Sequence, residues 1–215
     1  MNKKKVIIML TLLLTICAKA QELKYGIMAG LDFASISITN ASGSSFSKVS
    51  YPTLTYHLNG FLEFKSDDWW GIGLEPGFIK KGGGLDISYS NGSNRINSYN
   101  SREYSNIELP VILNIDLNQK FYLSTGLGLD YTISTTENNR YRSVTLPNYE
   151  ILPIMDNKFS CSAILGMSYR LNDTYEISIR YNLGLTKFVT VSFIDGVYNS
   201  IYGSSLQFSL KYNIN

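Results

Sequence analysis

The feature that most constrains this chain is an alternation sustained over more than a dozen residues. In "FYLSTGLGLDYTI", residues Phe121, Leu123, Thr125, Leu127, Leu129, Tyr131 and Ile133 fall on one parity. Tyr122, Ser124, Gly126, Gly128, Asp130 and Thr132 fall on the other. A period of two sends successive side chains to opposite faces of a strand, so one face here is apolar and the other small or polar. The same split runs through Phe159 to Arg170, Tyr175 to Leu185 and Ser205 to Tyr212. These runs exceed the five or six residues usual for a globular strand and suit the 9 to 11 residues of a tilted membrane strand.

Eight such segments are expected: Leu23 to Ser35, Pro52 to Phe64, Trp69 to Lys80, Arg102 to Asp116, Lys120 to Ser134, Lys158 to Arg170, Thr174 to Lys187 and Gly203 to Ile214. Short links at Lys65 to Asp68, Asn118 to Gln119 and Leu171 to Asp173 alternate with long ones. The long ones cover Ile36 to Tyr51, Gly82 to Ser101, Thr135 to Asn157 and Phe188 to Tyr202. An even strand number with short periplasmic turns and long external loops defines the fold class: an all-β, eight-stranded antiparallel transmembrane up-and-down β-barrel. Aromatics near the segment ends, among them Tyr25, Phe33, Phe64, Trp70, Phe78, Phe121, Tyr131, Phe159, Tyr169, Phe208 and Tyr212, are placed to form two interfacial girdles.

The N-terminus agrees with an envelope address. "MNKKKVIIMLTLLLTICAKA" has a basic start, a short apolar core and Ala18 and Ala20 in an A-x-A arrangement. It is expected to be a signal peptide (1–20) cleaved before Gln21, leaving 21–215 as one barrel domain. Its apolar run is too short for a spanning helix. Cleavage removes Cys17 and leaves Cys161 alone, so no internal disulfide can form in an oxidising compartment. The mature chain is slightly acidic, and nothing in its charge suggests nucleic acid as a partner.

"KYGIMAGLDFASI" (Lys24 to Ile36), "GIGLEPGFIKKGG" (Gly71 to Gly83) and "YSNIELPVILNIDLNQKFYLSTGLGLDY" (Tyr104 to Tyr131) resemble the PorT-like outer-membrane β-barrel family. The resemblance implies an outer-membrane barrel and, as an alternative role taken from PorT, an accessory part in a protein-secretion or transport apparatus. "GSSLQFSLKYNIN" at the C-terminus resembles the signal read by the barrel-assembly machinery, although it ends in Asn215 instead of an aromatic residue. Outer-membrane lipid and that machinery during biogenesis are therefore expected partners.

A barrel of eight strands is narrow enough to be filled by side chains. Its inward residues are expected to include Lys24, Asp32, Glu63, Asp116 and Lys211, together with an interior charge network of Glu75, Glu108, Asp130, Arg170, Glu176 and Arg180. Charges enclosed together must pair. A turn after Leu171 places Arg170 opposite Glu176. Glu75, Glu108 and Asp130 are expected to form salt bridges with Arg180 or Lys80, in preference to an acid/base site. His57 is the sole histidine, and no spacing sets a nucleophile beside it. "KKGGG" at Lys80 to Gly84 lacks the phosphate-loop pattern and reads as a flexible strand exit.

Cys161 is expected on the lipid face, and no metal or cofactor is expected. Pro76 and Pro110 lie within strands and predict local bulges. Hairpins are expected to continue beyond the membrane around Asn91-Gly92 and Asp195-Gly196. The resulting expectation is a non-enzymatic outer-membrane barrel with an envelope-structural role, or one that binds an envelope protein partner or ligand through its external loops. The alternatives are a secretion accessory and, resting on His57, Glu75 or Glu108, an outer-membrane enzyme.

Overall fold

The computed structural model describes residues 22–39, 46–66, 69–91, 94–143, 153–154, 158–187, 189–192 and 198–214. The expected leader and the Asp195-Gly196 turn lie outside them. In chain order the strands are β1 (Glu22–Thr39), β2 (Phe46–Tyr51), β3 (Thr53–Lys65), β4 (Trp70–Leu74), β5 (Gly77–Asn91) and β6 (Asn94–Asp116). They continue with β7 (Phe121–Ser143), β8 (Pro153–Ile154), β9 (Phe159–Arg170), β10 (Tyr175–Gly184), β11 (Val189–Ser192) and β12 (Tyr198–Asn213).

β4 and β5 follow one another along one stave, which pairs with β3 on one side and β6 on the other. The ladder continues through β7, β9, β10 and β12, and β1 pairs with both β12 and β3. This closes an antiparallel ring of eight staves. Closure satisfies the backbone groups that an open sheet would expose to hydrocarbon.

The alternation resolves into two faces. On β10, the odd-numbered residues from Tyr175 to Leu183 are exposed and the even-numbered residues Glu176 to Asn182 are buried. Leu31 on β1 and Leu127 on β7 are each 52% exposed, and Leu165 on β9 is 65% exposed. A band of large apolar side chains around the ring would be an aggregation surface in water, whereas in a bilayer it is the lipid face. Phe121 meets Tyr169 at 4.7 Å, and Tyr175 meets Tyr212 at 5.4 Å, near the short-turn end. Tyr131 meets Phe159 at 4.8 Å, and Tyr56 meets Phe78 at 6.2 Å, towards the other end. Among the described residues no helix is long and apolar enough to cross a membrane.

The short turns repeat one device. Asn118 Oδ1 accepts from the backbone N–H groups of Lys120 and Phe121, both at 2.8 Å. Asn172 Oδ1 does the same for Thr174 at 2.9 Å and Tyr175 at 2.7 Å. Such Asx turns replace ladder bonds where the chain reverses. The second turn sets Arg170 in register with Glu176.

The other end departs from the expected loops. Gly82 to Ser101 is strand and not loop, as the hairpin expected around Asn91-Gly92 requires: β5 and β6 stay paired up to Asn91 and Asn94. β6 and β7 each run 23 residues. At about 3.4 Å per residue and a tilt near 40°, each rises roughly 55 to 60 Å, against an apolar band about 25 Å tall. β2 adds to β5, and β11 pairs with β12 and β8. Gly82, Gly83 and Gly84 are buried inside β5, with Ile36 of β1 against Gly83, so "KKGGG" is a packed strand segment and not a flexible exit.

The two prolines also behave differently from expectation. Glu75 and Pro76 interrupt the stave between β4 and β5, yet the register with β3 and β6 is the same on both sides of the gap. Pro110 lies inside continuous β6 opposite Gly128. Neither proline makes a bulge, and the register shift of β6 against β7 falls instead at Ser105/Asn106. Each proline keeps half of a bonded pair: Gly60 N–H donates to Pro76 O at 2.9 Å, and Glu75 N–H to Pro110 O at 3.0 Å. Pro110 has no N–H to return to the Glu75 carbonyl. Asn59 Nδ2 donates to that carbonyl at 2.9 Å.

Candidate functional site

The charges lie inside the wall, where inward parity on each stave puts them. The six residues of the expected network are divided among three groups. In the central group, Glu75 takes both Nη groups of Arg180, with Arg180 Nη2 at 2.9 Å from Oε1 and Nη1 on Oε2. Lys211 Nζ donates to the same Oε1 at 2.8 Å. All three residues are 1% exposed. Arg180 crosses its register partner Gly166, where an added Cβ would stand 2.5 Å from the arginine Cγ.

The upper group holds Glu108 and Asp130, register partners on β6 and β7, around Lys81. Lys81 Nζ is 2.8 Å from Asp130 Oδ2 and 3.9 Å from Glu108 Oε2. Asn59 Nδ2 donates to Glu108 Oε1 at 2.8 Å, which ties this group to the Glu75 backbone. Lys80, the expected partner, points outwards to Glu103 at 2.6 Å. Counting parity from Glu75 places Lys81 inward, so the signal for the correct lysine was present.

The lower group sits beside the short turns. Arg170 Nη2 donates to Asp116 Oδ1 at 2.6 Å, and Lys65 Nζ lies 2.9 Å from Asp116 Oδ2. Glu176 has Arg170 Nε at 3.8 Å and accepts from Tyr122 O–H at 2.5 Å. The Arg170 guanidinium lies 4.8 Å from the Tyr122 ring centroid. Lys65 and Tyr122 were missed because one ends a strand and the other is aromatic.

His57 corrects the sequence expectation outright. Ser209 Oγ lies 2.9 Å from His57 Nε2, and Asp32 Oδ2 lies 2.7 Å from His57 Nδ1. If Nδ1–H donates to Asp32, Nε2 is left to accept from the serine hydroxyl, the tautomer used in acyl transfer. Gly30 is the register partner of both Ser209 and His57. A Cβ there would meet His57 Cε1 at 2.6 Å, so its absence lets the imidazole reach across β1.

Chemistry needs more than this row. Asp32, His57 and Ser209 are 0%, 2% and 6% exposed. Met28 and Phe61 are buried on the same inner faces, two residues from Gly30 and Asn59 respectively. None of the three lines the interior cavity near Asp130. The row is geometrically a triad and, with its serine enclosed, a hydrogen-bonded tie across three staves.

A closed ring with a lipid-facing outer surface and a paired, charged interior defines a small transmembrane β-barrel. The chain belongs to the outer membrane protein beta-barrel domain family, whose match spans residues 19–190. The protein is accordingly an outer-membrane barrel. None of the curated proteins compared with the chain matches it.

Similar solved structures include Ail, the attachment invasion locus protein of Yersinia pestis, at 9% identity and a TM-score of 0.43, covering 90% of this chain and 100% of that one. Neisserial surface protein A is 11% identical, with a TM-score of 0.44 and coverage of 89% and 99%. The outer membrane protease OmpT from Escherichia coli is 9% identical, with a TM-score of 0.40 and coverage of 91% and 97%.

Proposed function

We propose that this barrel is a non-enzymatic display scaffold, whose membrane-spanning part is held by a structural charge network and whose external strands bind an envelope protein or ligand. The observation that supports this reading is the length of β6 and β7, whose pairing continues from Asp116 and Tyr122 up to Ile96 and Ser143. A strand extension far beyond the apolar band contributes nothing to spanning. Rigid elements that carry an exposed surface are where binding residues work best. A signal peptide at 1–20 would deliver the chain to its assembly machinery.

The PorT-like blocks support a second reading, an accessory component of secretion or transport. Affinity capture of the tagged protein from its native outer membrane in mild detergent, compared with an unrelated barrel, separates the two. Enrichment of secretion components that survives removal of the β5–β6 tip favours the second reading. Enrichment of a surface partner that is lost with the tip supports the first, and recovery of the barrel alone in both forms counts against both.

A further inference from the structure

A groove of about 710 Å³ lies on the outer face of the wall at its short-turn end, inside the range of about 300 to 1,000 Å³ that small-molecule sites occupy. Its floor is two register pairs of β9 and β10, Met167 with Ile179 and Tyr169 with Ile177. Phe121 of β7 borders it, 4.7 Å from Tyr169 between ring centroids. At the turn the lining changes from apolar to donor-rich. Asn118 Oδ1 is taken up by the backbone N–H groups of Lys120 and Phe121, which leaves Nδ2 to donate elsewhere. Lys120 has the parity of the inward residues Tyr122 and Ser124, yet it is exposed and lines this outer groove. Among the described residues no carboxylate lines the groove. The interior carboxylates at this end, Asp116 and Glu176, are held by Lys65, Arg170 and Tyr122.

We propose that this groove binds one anionic glycerophospholipid of the periplasmic leaflet, with its phosphate at Lys120 and Asn118 Nδ2 and an acyl chain along Met167 and Ile179. The short turns of an outer-membrane barrel face the periplasm, so the headgroups at their height belong to phospholipid. An apolar floor ending at a lysine matches a lipid in both its parts, because the lysine stem lies along hydrocarbon while its ammonium reaches the phosphate level. The charge of the lining selects among headgroups. An ethanolamine headgroup carries an ammonium of its own, for which the lining offers no anion, whereas a glycerol headgroup leaves the phosphate charge to Lys120.

The test is native mass spectrometry of the barrel released from vesicles of phosphatidylglycerol and phosphatidylethanolamine in equal parts, with the lipids that stay bound identified by mass. The site predicts an excess of retained phosphatidylglycerol of about fivefold, the ratio that one lysine gives at an anionic surface. Lys120→Glu should abolish the excess. Lys158→Glu, at an exposed lysine beside the other end of β9, should leave it unchanged. Ile177→Trp fills the groove and keeps Lys120, so it should also remove the excess. Heat-modified migration on gels checks that each variant is folded. Equal retention of the two lipids by the unaltered protein would overturn the proposal. So would an excess that survives Ile177→Trp, since charge would then attract the lipid without a groove to hold it.

Discussion

Glu75 is the residue on which most of the interior depends, because its one carboxylate answers two buried cations. Replacing a partner in a buried pair leaves an uncompensated charge, which costs about 3 to 5 kcal/mol. Glu75→Gln should therefore lower unfolding stability by about that amount, read from urea titrations in lipid vesicles. Arg180→Met combined with Glu75→Gln should recover part of the loss, since only Lys211 then lacks its anion. A double-mutant cycle that gives no coupling between Glu75 and Arg180 would contradict the pairing. Ser209 carries a different prediction. Its hydroxyl lies beside His57 but is enclosed, so a fluorophosphonate probe should leave Ser209 unlabelled in the folded barrel. Ser209→Ala should cost about 1 kcal/mol for one lost hydrogen bond, and covalent labelling at Ser209 would instead revive the enzyme reading.

At the scale of the element, the break between β4 and β5 shows how two prolines fit inside a closed wall. Asn59 replaces the donor that Pro110 lacks and holds Glu108 with the same Nδ2. Asn59→Ala should cost about 1 to 3 kcal/mol for each acceptor left unserved. Adding Pro110→Ala restores a backbone N–H facing the Glu75 carbonyl, so the double variant should be more stable than Asn59→Ala alone in urea titration. This repair was not legible in the sequence, where two prolines argued for bulges. The span of each stave was legible, because lipid demands apolar residues at alternate positions from Phe121 to Ile133. The external continuation of β5 and β6 was legible only through the Asn91-Gly92 turn signal, and that of β7 to Ser143 was not legible, because outside the lipid no hydrophobic alternation marks a strand. The row of Asp32, His57 and Ser209 was equally hidden, because it depends on β1 closing against β12. Its trace in sequence is the unremarkable Gly30.

For the whole molecule, the inside and the outside are held by opposite physics. The interior is fixed by paired charges, and the exterior chiefly by its match to hydrocarbon. Leu127 tests the second half. It is half exposed and lies midway between Phe121 and Ile133, which are also exposed on the same face of β7. An arginine on the lipid face costs about 2 to 4 kcal/mol at the bilayer midplane and about 0 to 1 kcal/mol near the interface. Leu127→Arg should fall in the first range. Thr136→Arg, exposed beyond Ile133 where the register shift of β6 against β7 inverts the parity, should fall in the second. Both are measured as shifts in the urea midpoint of the barrel folded in vesicles. Equal costs at the two positions would mean that the apolar band is not centred on Leu127, and the heights of the two aromatic girdles would then have to be reassigned.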